Sequence, residues 1–193
     1  MRMFKTLTAA LAATVLTVGF AAAQDNNSLE DQFPVPGANA TAPAAQPQEV
    51  VREKFGDWEI RCNTTTNNCF MYQLMLDDEN NPVAELSLIK MPLGSEVVAG
   101  ATVVTPLGTL LTRGLTFRVD DGGVNQAAFG WCVRPGCFAR FGLTDLTVEE
   151  MRKGDGFNIA IYAIQNARTP VELSASLVGF TAAFEALEPT QTN

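Results

Sequence analysis

The chain has 193 residues, 47% of them hydrophobic and 8% aromatic, a length that suits one domain with its own core. Its 21 Asp and Glu against 13 Lys and Arg give a formal charge of −8. A field of that sign repels phosphate backbones and anionic lipid, so no nucleic-acid partner is expected and acidic membrane surfaces rank low. There is no histidine at all, which removes Ser-His-Asp and Cys-His mechanisms and every His-containing zinc site.

Residues 1–23 read as a signal peptide. Arg2 and Lys5 form a positive n-region, "TLTAALAATVLTVGF" is a short apolar core, and "AAA" before Gln24 fits small-residue cleavage. The apolar run is too short and lacks a stop-transfer flank, so no integral membrane segment is expected in the mature chain. Without Arg2 and Lys5 the mature chain carries 11 cations against 21 acids, a formal −10. A cationic partner surface is allowed by that balance, but solubility explains it equally. Residues 24–49, rich in Pro, Ala, Asn and Gln, read as a flexible Pro/Ala-rich linker that cannot bury enough surface to offset its own ordering. The folded domain is expected over 50–188, with 189–193 as a tail.

Within that domain, apolar and polar residues alternate with the period of half-buried strands. Trp58, Ile60 and Cys62 share one face; so do Ala84, Leu86 and Leu88, then Leu115, Phe117 and Val119. Phe157, Ile159, Ile161 and Ala163 form another such face, and Val171, Leu173, Ala175 and Leu177 a further one. "CFMYQLML" and "EVVAGATVVTP" are more continuously apolar, as strands buried on both faces would be. The apolar residues of 97–111 suit either an interface or a buried strand pair. "DENNP" at 78–82, "PLG" at 92–94 and 106–108, "DDGG" at 120–123 and "NARTP" at 166–170 read as turns. "LTVEEMRKG" reads as a helix with Thr147 as N-cap, Glu150 completing a capping box and Gly154 ending it in the left-handed conformation. "GFTAAFEAL" at 179–187 repeats Phe180, Ala183, Phe184 and Leu187 at helical spacing. The fold class expected is mainly β: an antiparallel β-sandwich-like single domain with one or two short helices. An outer-membrane barrel fits poorly, with two Trp, two Tyr and no terminal strand.

Cys62, Cys69, Cys132 and Cys137 are an even set in an exported chain, which implies disulfides. Three pairings are open. The turn-like "NTTTNN" and "VRPG" between neighbours favour Cys62–Cys69 and Cys132–Cys137, each worth roughly 2–2.5 kcal/mol on chain entropy. Entropy alone favours a long-range bridge, at about 4.5 kcal/mol. Pro135-Gly136 suits the centre of a type II turn. That leaves Arg134 at a rigid tip, a candidate for recognition rather than catalysis. Redox and zinc readings rank low: the redox spacing is absent, the first pair misses the zinc spacing, and export favours disulfides. "DDENN" at 77–81 lacks the glycine and glutamate of a calcium loop. Glu149 and Glu150 are adjacent and do not face each other. Trp58 and Trp131 could form a platform, but Trp58 lies on an apolar face. No catalytic residue, metal ligand or cofactor site is expected.

Taken together, "FGDWEIRC", a second cysteine followed by "MYQ", "GWCVRPGCFAR" and "LVGFTAAFEAL" resemble the invasion-associated locus B family of exported bacterial proteins, over roughly residues 54–188. The resemblance implies a β-sandwich-like proteobacterial domain, periplasmic or surface-associated, linked to host-cell invasion by a mechanism it does not supply. It brings no catalytic residues. The expected function is therefore non-enzymatic, through an unidentified host or envelope protein partner and in an unknown oligomeric state; a thiol-active envelope enzyme using Cys132 and Cys137 is the alternative.

Overall fold

The computed structural model describes residues 49–190. The expected signal peptide and nearly all of the linker lie outside the described residues. Eleven strands form one antiparallel sheet: β1 (Glu49–Phe55), β2 (Trp58–Asn63), β3 (Cys69–Leu76), β4 (Pro82–Lys90), β5 (Ala99–Thr105), β6 (Leu115–Val119), β7 (Asn125–Ala127), β8 (Phe129–Val133), β9 (Gly136–Leu143), β10 (Gly156–Ala163) and β11 (Asn166–Ser176). Two helices follow strand ends: α1 (Asp145–Lys153) after β9 and α2 (Phe180–Ala186) after β11.

The strand order is β7-β6-β10-β11-β3-β4-β5-β9-β8, with β1 and β2 added on the β3 edge. Its two ends, β7 and β8, are separated in sequence by Ala128 alone. One nearly continuous stretch thus pairs with β6 through its first part and with β9 through its second. The sheet is in this way nearly closed into a barrel, and Phe117 of β6 stacks on Phe141 of β9 with ring centroids 4.3 Å apart. Closure removes most of the edges along which sheets aggregate.

The alternating faces point inward. Trp58, Met71, Leu86, Val103, Leu115 and Phe157 are wholly buried. An interior packed with apolar side chains differs from the polar interior of a membrane-spanning barrel. Among the described residues no helix is long and apolar enough to cross a membrane. The two strands expected to be buried on both faces are not. In β5 only Ala99, Ala101, Val103 and Thr105 turn inward, and in β3 Leu74 and Leu76 are exposed. Barrel walls have one wet side, so a continuous apolar run here marks an apolar outer surface rather than double burial. "NARTP" is also not a turn. It lies inside β11, and the chain reverses at Ile164-Gln165 instead, with Pro170 opposite a register shift where its missing N–H costs no ladder bond.

The helices close one end of the barrel. α1 begins three residues earlier than its sequence suggests: Thr144, not Thr147, is the N-cap and accepts from the Thr147 N–H at 3.3 Å. Gly154 ends α1 at φ −87°, not in the left-handed region. Its small size is what the site uses, because a Cβ there would lie 2.7 Å from a carboxylate oxygen of Asp120. That carboxylate accepts from the Asp155 and Gly156 amides. α2 matches its periodicity, burying Phe180, Ala183 and Phe184.

The four sequence segments that carry the family resemblance come together in two places. At the first, Gly56 and Gly179 take φ of 56° and 87° in loops so closely apposed that a Cβ on either would strike the other loop's carbonyl. Beside them the Trp58 indole N–H donates to the Ser176 carbonyl at 2.9 Å, and its ring meets Phe180 edge-on at 5.6 Å. Gln73 Nε2 donates to the Asp57 carbonyl at 2.9 Å. These residues brace the fork where β2 and β11 diverge from the same β3 edge. The second place is the β8–β9 hairpin.

Candidate recognition surface

The hairpin owes its shape to one staple and one glycine. Cys132 and Cys137 sit directly opposite each other, with a bonded Sγ–Sγ distance of 2.07 Å. Cys62 and Cys69 do the same across β2 and β3, at 2.06 Å. No cysteine is free. The turn, however, is not centred on Pro135-Gly136. Val133 pairs with Gly136, so Arg134 and Pro135 occupy the loop, and Gly136 has no positive φ. Gly136 is instead the first residue of β9, pressed against β5, where a Cβ would strike the Thr105 carbonyl. Arg134 is exposed at the tip.

Behind the tip the outer face becomes aromatic. The Trp131 ring, 41% exposed, stacks on Phe138 with centroids 5.2 Å apart and planes 5° apart. The Arg140 guanidinium lies 4.9 Å from the Trp131 centroid. Continuous with this stack, a groove of about 320 Å³ runs over β3, β4, β5 and β9, lined by Phe70, Tyr72, Glu85, Val104, Phe138 and Arg140. At its other side Arg61 lies 3.4 Å over the Tyr72 ring and bonds Glu59, which also pairs with Lys54 at 2.6 Å. Hydrogen bonds from Lys54 and then Arg61 hold the Glu59 carboxyl below its ordinary range. Burial, then the Glu85 charge, pushes the Tyr72 phenol up from its ordinary value.

The sequence places Arg134 at an exposed tip and favours the two local cysteine pairings, as the structure has them; a recognition role for Arg134 does not follow from that placement. The sequence does not show the Trp131–Phe138–Arg140 stack or the groove, because a cross-strand cluster exists only once register is set. The outward alternation of Phe138, Arg140 and Trp131 was the available signal. Trp58, the other platform candidate, is wholly buried in the core. Glu149 pairs with Arg152 at 3.2 Å, and the Glu150 side chain takes no part in the α1 N-cap, while its carbonyl accepts from the C-cap Gly154 N–H at 2.9 Å. A second concavity, of about 670 Å³, gathers Asp77, Asp78, Asp120, Asp121 and Asp155 around Arg118. Asp77 is committed to its own turn, where Asn81 holds its carboxyl below the usual range. Among the described residues no group of three or more His, Cys, Asp or Glu is placed to hold a metal ion.

The model of the family described as Invasion associated locus B (IalB) protein matches residues 58–188. In structure the chain is similar to invasion associated protein B from Bartonella henselae, at 26% identity and a TM-score of 0.58, covering 69% of this chain and 92% of that one. No curated protein matches it.

Proposed function

The chain belongs to the invasion-associated locus B family, and from that membership we propose that it works outside the cytoplasm as a non-enzymatic protein-binding module, through the outer face of its β8–β9 hairpin. The observation that carries the reading is the stack of Trp131, Phe138 and Arg140 beside the exposed Arg134, on a hairpin fixed by its disulfide. Trp, Tyr and Arg dominate binding hot spots, and a rigid tip loses little entropy on association. A chain without histidine and with every cysteine bonded supports binding over catalysis. The thiol-active alternative has one observation in its favour, the exposure of Cys132.

The test is capture of a partner from envelope and host-cell extracts by the mature protein, followed by affinity measurement on the identified partner. Trp131→Ala and Arg140→Ala are expected to weaken binding by tenfold or more each, a typical hot-spot loss. Unchanged affinity in both variants would remove this face from the proposal. Turnover of a dithiol substrate, abolished by Cys132→Ser, would replace binding with the thiol-active reading.

A further inference from the structure

Three strand tips meet at the end of the barrel opposite the two helices. β5 runs into the 106–110 loop, β8 and β9 turn at Arg134-Pro135, and β10 and β11 turn at Ile164-Gln165. The middle loop bonds to both hairpins. On one side Thr109 Oγ1 lies 2.9 Å from Thr105 Oγ1, which donates to the Cys137 carbonyl. On the other, the Leu110 and Ile164 amides donate to the Tyr162 and Gly108 carbonyls at 2.7 and 2.8 Å. Each tip sets an aliphatic side chain in solvent: Leu107 is 61% exposed, Val133 49% and Ile164 62%. Each is followed closely in the chain by an exposed arginine, Arg113, Arg134 or Arg168. None of the three makes an ion pair among the described residues.

The charge pattern points to what this end meets. Not one of the chain's 21 acids falls in residues 105–119, 129–144 or 156–171, the stretches that build the tips. The net charge of −8 therefore conceals an uneven spread: acids gather around Arg118 on the flank and in the β3–β4 turn, and Glu49 and Glu85 are the acids that share a groove with the tip residue Pro135. Beyond about 8 Å at physiological ionic strength those flank acids are screened, so the local cationic end governs close approach.

We propose that this end seats peripherally on an anionic phospholipid surface, with Leu107, Val133 and Ile164 entering the boundary between headgroups and acyl chains and the arginines meeting phosphates. Three aliphatics on separate protruding tips need three matched pockets in a folded partner. A bilayer receives protruding side chains anywhere, and arginine stems extend along the apolar boundary while their charges stay wet. Asp78 belongs to the acidic flank around Arg118, so the molecule would seat tilted away from it and from its neighbour Glu79. This inference shares Arg134 and the β8–β9 hairpin with the protein-binding reading, but rests on the three tips rather than on the Trp131 stack.

The mature protein, mixed with sedimentable vesicles, provides the test. Vesicles containing phosphatidylglycerol and phosphatidylcholine are expected to carry down far more protein than phosphatidylcholine alone, with the difference collapsing in high salt. Each arginine is worth roughly fivefold in partitioning, so Arg113→Ala with Arg168→Ala should cost more than tenfold. Leu107→Glu with Ile164→Glu should abolish binding; both sites are solvent-exposed, and an unchanged circular dichroism spectrum and Tm verify folding. Asp78→Asn with Glu79→Gln should strengthen it. Equal binding to neutral vesicles, no binding to either, or concentration-dependent dimerisation lost in Leu107→Glu would overturn the proposal. Trp131→Ala and Arg140→Ala, away from the tips, should leave vesicle binding within about fivefold while testing the protein partner, so the two readings fail separately.

Discussion

Glycine at position 136 does steric work that its neighbour's reputation obscures. A Pro-Gly pair between cysteines suggests a type II turn in which glycine supplies positive φ. Instead Gly136 is extended strand, and the absence of a side chain lets β9 approach β5 until the Thr105 carbonyl occupies the place of a Cβ. Gly154 follows the same logic against Asp120. Gly136→Ala is expected to force β9 outward and destabilise the fold by about 2 kcal/mol, the usual scale of overpacking. Were the turn type the reason for glycine, Gly136→Asn would be tolerated, since Asn accepts left-handed backbone. Thermal denaturation of the two variants separates the explanations: both should melt well below the parent, with Asn no better than Ala. At this scale the sequence named the right residue for the wrong cause, because close approach of a distant strand leaves no local signature.

Elements were easier to read where one face is buried and harder where packing chose the boundary. The alternation at Trp58–Cys62, Ala84–Leu88 and Leu115–Val119 became β2, β4 and β6, since burial on one side enforces period two. Both Thr144 and Thr147 are competent caps, so local sequence alone does not fix the start of α1. What selects Thr144 is the extra turn of helix after Leu143, the last residue of β9, whose side chain is buried. The hairpin behaves as an element in its own right, and its staple spans a loop of only a few residues. Replacing Cys132 and Cys137 by Ser should cost roughly 2 kcal/mol on chain entropy. The register should survive, because β9 also pairs along its length with β5, from Thr105–Cys137 to Ala99–Leu143. The expected result is a lower denaturation midpoint with native amide exchange protection retained in β9 but reduced in β8, which has only β9 beside it. Loss of protection in β5 as well would show that the staple, not the ladder, holds this wall.

On the scale of the whole molecule, closure and charge distribution were both hidden from the sequence. Closure depends on a stretch split between two partners, β6 and β9, whose short halves carry little alternation. Charge distribution depends on the tilt of strands around the barrel, which brings Asp77, Asp78, Asp120, Asp121 and Asp155 from three chain segments onto one flank around a single Arg118. Like charges so gathered oppose folding, and their repulsion is carried through solvent. It should therefore respond to salt: raising ionic strength from about 0.01 M to 1 M shortens the screening length from about 30 Å to about 3 Å. The urea midpoint of the mature protein is expected to rise over that range. Salt also acts on apolar burial, so the informative quantity is the difference from Asp121→Asn, which removes one exposed carboxylate of the cluster. The variant should be slightly more stable than the parent at low salt, and the two should converge at high salt, where the removed charge no longer has a field to act through. A constant offset at every ionic strength would mean that Asp121 acts through local turn geometry beside Gly122, and that the acidic flank carries no folding penalty.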